Sequence, residues 1–356
     1  MNVTRAGSIA AVLAFATLGV ACATKVRVEG MEAPPAPAPV GTVIVANMAD
    51  NTATLIDVAS RRVVATLPTG SGAHEVAVSH DGRWAVVSNY GVRGAPGSSL
   101  TVIDVPSTKV VRTIELGEFK RPHSSAFLPG DSLLVVTSEM SRAVVIVDFT
   151  RGTVAGSIPT NHPASHMLAL PTDASRIFTA NIADGTVSEL DVAGRAFLRD
   201  ITVAPAVEGI AVTPGGEQVW VGSNQQKTVT VLDAKTGKVA GTLSGFGMPY
   251  RLAITPNGRT AVITDPPNAV VRVVDVATRR DRATISIDSA GVTAAAEFPG
   301  SPSPEGIVLS RDGRMAYVAL QGSSRLAMID LERATVVAYV PTGAGPDGIG
   351  YSPFGR

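Results

Sequence analysis

Residues 208–243 read EGIAVTPGGEQVWVGSNQQKTVTVLDAKTGKVAGTL, and this stretch decides the fold. It divides into four short apolar pieces, EGIAVT, QVWVGS, TVTVLD and KVAGTL, parted by PGGE, NQQK and AKTGK. Valine, isoleucine and threonine at alternating positions suit a pleated, half-buried strand. Glycine, proline and asparagine between them mark turns.

The third piece, an apolar run closed by aspartate, recurs along the chain. ATLID ends at Asp57, LTVID at Asp104, VVIVD at Asp148, VSELD at Asp191, VTVLD at Asp233, VRVVD at Asp275 and LAMID at Asp330. The steps are 47, 44, 43, 42, 42 and 55 residues. Self-similarity at such a period marks an array of supersecondary units. Four strands per unit and seven units predict an all-β, seven-bladed β-propeller over residues 41–356. The first unit, GTVIVANMA onward, lacks an opening strand, and PDGIGYSP at the other end is an opening strand without a unit. The C-terminal strand is therefore expected to complete the N-terminal blade from inside, closing the ring and covering two edges. Each repeated aspartate is expected to accept backbone N–H bonds in the turn that follows it.

AVVSNYG…SLTVIDVPSTKVVRTIELG and VWVGSNQQKTVTVLDAKTGKVAGTL resemble the YVTN-repeat, YncE-like propellers, a bacterial, exported family. The resemblance covers about residues 41–356. That family includes surface-layer and periplasmic proteins, and related lactonase-type propellers are enzymes, so function has to be argued from the site.

One register position precedes each opening strand: His74, His123, His166, Glu208, Tyr250, Glu305 and Asp347. The chain has five histidines, and chance would put about a tenth of one on such a ring. Three are there, in consecutive units. The resemblance implies that opening strands are innermost, so these residues ring one mouth of the central channel. His74, His123, His166 and Glu208 form a candidate metal set, for zinc, copper or iron. Tyr250, Arg251, Glu305 and Asp347 are candidate ligand-binding residues, with Arg251 suited to an anionic group. Glu208 and Arg251 are the best candidates for catalytic residues, with the histidines and glutamate suited to the acid–base roles. A second ring, Asn47, Asn89, Ser138, Asn181, Ser223, Asp265 and Leu320, lies on the same face. Asn89 and Asn181 join the ligand candidates, although asparagine there belongs to the repeat and suits a turn. Longer links at 89–99 and 288–304 belong to this face, and Arg93 lies in the first. His162 sits in the loop leading to His166, and His80 is expected on the surface at the other end.

Thirty basic and thirty acidic residues balance, and no basic stripe is present, which argues against nucleic acid as a partner. No haem-attachment motif, phosphate loop, HExxH or nucleophile elbow occurs. Ala6–Leu18 behind Arg5 reads as the apolar core of a secretory signal over residues 1–22. The only cysteine, Cys22, resembles the acylated cysteine of bacterial lipoproteins, although Gly19 stands where leucine is usual; ordinary cleavage after Ala23 is the other reading. Residues 23–40 read as a Pro/Ala-rich linker. The protein is thus expected to be periplasmic or on the outer surface, touching membrane only through a lipid. Three functions fit: a binding or scaffold propeller holding a metal or small ligand, an enzyme using the same mouth by metal or lactonase/lyase-type chemistry, and a protein whose loop face meets another protein.

Overall fold

The computed structural model describes residues 39–293 and 297–355. The segment expected to be a signal, Cys22 and nearly all of the expected linker lie outside them. Seven four-stranded antiparallel sheets follow one another around a ring. Blade 5 shows the plan: Val207–Val212 is innermost, followed outward by Gln218–Ser223, Thr228–Asp233 and Val239–Leu243. Its two middle strands are buried along almost their whole length, and its outer strand is largely exposed. Middle strands are covered on both faces by the neighbouring blades, which is why they read as continuous apolar runs.

The hydrophobic core is accordingly a set of layers between blades. Val86, Leu100 and Val102 of blade 2 meet Phe127, Val136 and Val145 of blade 3 in one layer. Trp220 and Val231 of blade 5 meet Ala261 and Ile263 of blade 6 in another. Each fully buried large side chain contributes about 1.5–3 kcal/mol of burial energy.

The ring closes as the sequence predicts. Pro346–Ser352 pairs antiparallel with Thr42–Asn47 and becomes the innermost strand of blade 1. Tyr351 stacks on Tyr317 of blade 7 at 5.6 Å, and the Thr42 hydroxyl donates to the Phe354 carbonyl at 2.6 Å. The repeated aspartates hold their turns. Asp57, Asp148, Asp233 and Asp275 accept the backbone N–H three residues on at 2.7–2.8 Å, and Asp104, Asp191 and Asp330 do the same at 2.8–3.1 Å.

Candidate functional site

The ring residues do not stand ahead of the innermost strands; in six blades they are the second residue of the strand, inside a β-bulge. Ala73 pairs with Asn89 and Val76 with Val87, so three steps on one strand face two on the other. The same slip lies between Pro122 and Ser125, Ser165 and Leu168, Val207 and Ile210, and Pro304 and Ile307. On blade 1 it falls at Asp347–Gly348. A bulge bends the strand and re-aims its side chains. The bulge holds a pair of residues per blade, such as His74 with Glu75, His123 with Ser124 and His166 with Met167; both members of the first pair reach the site, whereas Met167 packs against the apolar layer between blades 4 and 5. Where the pair's second member is glycine, the next blade explains it. A Cβ on Gly306 would lie 1.9 Å from the Asp347 carbonyl oxygen, and one on Gly348 2.2 Å from that of His74. Hydroxyls on the neighbouring blade pin the bulges: Ser88 donates to the His123 carbonyl at 2.6 Å, Thr137 to that of His166 at 2.7 Å and Thr264 to that of Glu305 at 3.0 Å.

The three histidines converge. The ring centroids of His74 and His123 lie 4.2 Å apart, and those of His123 and His166 lie 3.7 Å apart. His166 reaches Glu139 through Nδ1 at 2.5 Å and Glu208 through Nε2 at 3.1 Å. Nδ1 of His74 lies 2.5 Å from a carboxylate oxygen of Asp347, without the geometry of a hydrogen bond. His123 is fully buried and neither ring nitrogen has a hydrogen-bond partner. Buried polar atoms are nearly always paired, so an exception at a convergence of ligand-type side chains points to function. His74, Glu75 and His123 bring ligand atoms within 4.8 Å of one another, and so do His123, Glu139 and His166.

Arg251 is 3 % exposed and ties the mouth together from blade 6. It donates to Glu208 of blade 5 at 3.1 Å and, across the channel, to Glu75 of blade 2 at 3.0 Å. Its guanidinium lies over the Tyr250 ring at 4.3 Å. Both terminal nitrogens, Nη1 and Nη2, are thus engaged by carboxylates within the chain, while Nε is buried without a hydrogen-bond partner. Glu305 and Asp347 are buried, each with one unpartnered carboxylate oxygen, and Ser303 donates to the other oxygen of Glu305 at 2.9 Å.

The titration behaviour follows from these contacts. Burial pushes the His123 imidazole well below its ordinary range, and the charges of His166, His74 and Arg251 add to that. Burial also opposes charge on His166, but hydrogen bonds to Glu139 and Glu208 outweigh it and raise its pKa to about 9. Glu208 resists burial through His166 and Arg251 and is held down to about 2. Burial, with the nearby charge of Asp347, raises Glu305 well above the carboxylate range. A neutral, unpartnered imidazole therefore sits among ionised carboxylates whose main cations are Arg251 and His166.

Four participants were not legible as site residues. Glu75 had counterparts of unrelated chemistry. Tyr90 donates to Glu139 at 2.5 Å, edges onto His74 at 4.8 Å between centroids, and is raised to about 12 by burial and by Glu139. Asn224 donates to Glu208 at 2.7 Å. Tyr90, Glu139 and Asn224 each directly follow a second-ring residue, which is the signal that would have found them. The second ring itself is spent on loops: Asn89 accepts from Gly70 N at 3.0 Å and donates to Ser99 at 2.9 Å, and Asn181 donates to Thr186 and Ser188 at 3.0 and 2.8 Å. The 89–99 link is a β-ribbon pairing Val92 with Ala95, with Arg93 exposed at its tip. The 288–304 link, of which residues 294–296 lie outside the described ones, docks on loops of blades 6 and 7 through Ser301 to Pro266 and Thr293 to Gly322. His162 pairs instead with Asp184 and Asp200, and His80 with Asp131.

Residues 157–349 match the Phytase-like family, described as esterase-like activity of phytase. Residues 27–129 match the YNCE-like β-propeller family. No curated protein matches the sequence. Among solved structures, the chain is similar to hydrazine synthase of Kuenenia stuttgartiensis, at 18% identity over 78% of this chain and 88% of that one, with a TM-score of 0.66. It is also similar to a functionally unknown protein from Desulfotomaculum acetoxidans DSM 771, at 14% identity over 89% and 100% of the two chains, with a TM-score of 0.72. Likeness at these identities is one of fold alone.

Proposed function

We propose that the chain, which belongs to the Phytase-like family, matched over more than half its length, and to the YNCE-like β-propellers, holds a transition-metal ion at the mouth of its channel. The observation that carries this reading is His123, fully buried with both ring nitrogens unpartnered among two further histidines and four ionisable carboxyl groups, Glu75, Glu139, Glu208 and Asp347. Imidazole and carboxylate together suit zinc, copper or iron. Net negative charge in a buried mouth offsets a cation's loss of water. The propeller then serves as a binding or scaffold protein. It is exported to the periplasm or outer surface, a reading supported by the apolar run Ala6–Leu18 and by Cys22 as a lipid anchor, with its loop face open to a protein partner.

Metal analysis of the purified protein tests this directly. Wild type is expected to retain metal after dialysis and His123→Ala to lose it. Absence of metal in both, even after zinc or copper is added, overturns the reading.

A second reading is favoured by one finding: the family match described by esterase-like activity spans His166, Glu208, Arg251, Glu305 and Asp347. In that reading the mouth hydrolyses an ester, with a bound metal supplying Lewis acidity. Glu208, held to about 2, is a weak base, so the reading leans on the metal more than on this carboxylate. Ester turnover by the metal-loaded protein, lost together with the metal in His123→Ala, supports it; no turnover across a panel of phosphate and carboxylate esters removes it.

A further inference from the structure

Two candidate ligand groups share His123, one with His74 and Glu75, the other with Glu139 and His166. We infer that His123 bridges two metal ions, one on each ring nitrogen, with His74 and Glu75 completing one side and Glu139 and His166 the other. The inference rests on the metal-binding reading and deepens it.

The argument starts from how histidines serve metals. A ligating histidine ordinarily spends its other nitrogen on a carboxylate or carbonyl, which fixes its tautomer and aim. His74 faces such a carboxylate, Asp347, 2.5 Å from its Nδ1, and His166 has Glu208 on Nε2. His123 has none on either nitrogen, although no part of it reaches solvent. Its backbone is fixed by the Ser88 hydroxyl on its carbonyl, so its position is set while its ring is left open at both nitrogens. Blade order supplies the rest. His74, His123 and His166 stand on blades 2, 3 and 4, so the outer two flank the middle one, with ring centroids at 4.2 and 3.7 Å. Each flank brings its own carboxylate, Glu75 or Glu139. On the second flank a cation takes the place of the proton between His166 Nδ1 and Glu139. Binding of the second ion displaces the remaining ring proton of His123 to solvent and leaves a bridging imidazolate.

Copper(II) is the probe, because bridged copper ions couple magnetically. Full-length metal-free protein is loaded with copper(II), dialysed, and assayed for copper per chain and for spin by electron paramagnetic resonance. The inference expects two coppers per chain with far less than two spins detected. It also expects His74→Gln and His166→Gln each to hold a single copper with a full, uncoupled signal. One copper per chain in wild type, with a full mononuclear signal, overturns the bridge and leaves the metal reading standing. Two coppers with two full spins also overturn it, since the sites would then be separate. No copper retained overturns the metal reading itself.

Discussion

Arg251→Met isolates the part of the mouth that holds it together without metal. The guanidinium is 3 % exposed and joins Glu208 at 3.1 Å to Glu75 at 3.0 Å across the channel. Methionine keeps an unbranched apolar stem over Tyr250 but removes the charge. Glu208 retains His166 and Asn224, so most of the penalty falls on Glu75, which has no second ion-pair partner among the described residues. Removing one partner of a buried pair costs about 3–5 kcal/mol, and the low end, about 3 kcal/mol, is expected here. The same change frees carboxylates for a cation. At zinc about a hundredfold above its dissociation constant, binding returns about 2.7 kcal/mol. Urea unfolding followed by the fluorescence of Trp84 and Trp220, with chelator and with saturating zinc, measures both effects. The metal-free variant should lose about 3 kcal/mol and regain most of it with zinc. A loss below about 0.5 kcal/mol, the range of an ordinary surface change, would refute the cross-channel tie. A full loss with no recovery would refute the cation-accepting mouth.

Three further outcomes are expected. His166 is raised from 6.5 to about 9 in the folded protein, so its charged form contributes on the order of 3 kcal/mol, fully present below about pH 6.5 and lost as pH rises through about 9; the urea midpoint of metal-free protein should fall over that window, and a flat or rising profile contradicts the assignment. Gly348→Ala puts a Cβ 2.2 Å from the His74 carbonyl oxygen and 2.4 Å from the Glu75 Cα, so a loss of about 1–3 kcal/mol or more, together with weakened metal retention, should follow in thermal unfolding and metal analysis, and an unchanged melting temperature would count against the close approach of blades 1 and 2. Asp233→Ala removes the turn bonds to Thr236 at 2.7 and 2.8 Å and should cost about 1 kcal/mol while metal content stays at the wild-type level; loss of metal would show that the repeat aspartates do more than hold turns.

The fold was legible because its signal is repeated seven times: any one run such as VTVLD is ambiguous, but seven at a common period specify blades and their closure. The first ring was legible for the same reason, since aligning the opening strands isolates His74, His123, His166 and Glu208. What the alignment could not show is the pairing across the channel. Glu75 and Arg251 are 176 residues apart and meet only because the ring closes. Arg251 therefore read as suited to an anionic ligand, with no sign that Nη1 and Nη2 would pair with Glu208 and Glu75 within the chain. Tyr90, Glu139 and Asn224 were hidden behind the second ring, whose repeated hydrogen-bonding residues drew attention to Asn89 and Asn181; those amides close loops, and the residues one place further on reach the mouth. The bulge was hidden too, because an extra residue inside a strand leaves the apolar alternation on either side intact.

Anomalous diffraction from crystals grown with zinc tests the central claim most directly. A peak within about 2.0–2.1 Å of a ring nitrogen of His123, with His74 or His166 in the same coordination shell, is the predicted result. A map with no peak at the mouth, and both His123 nitrogens hydrogen-bonded to water or protein groups, would contradict it.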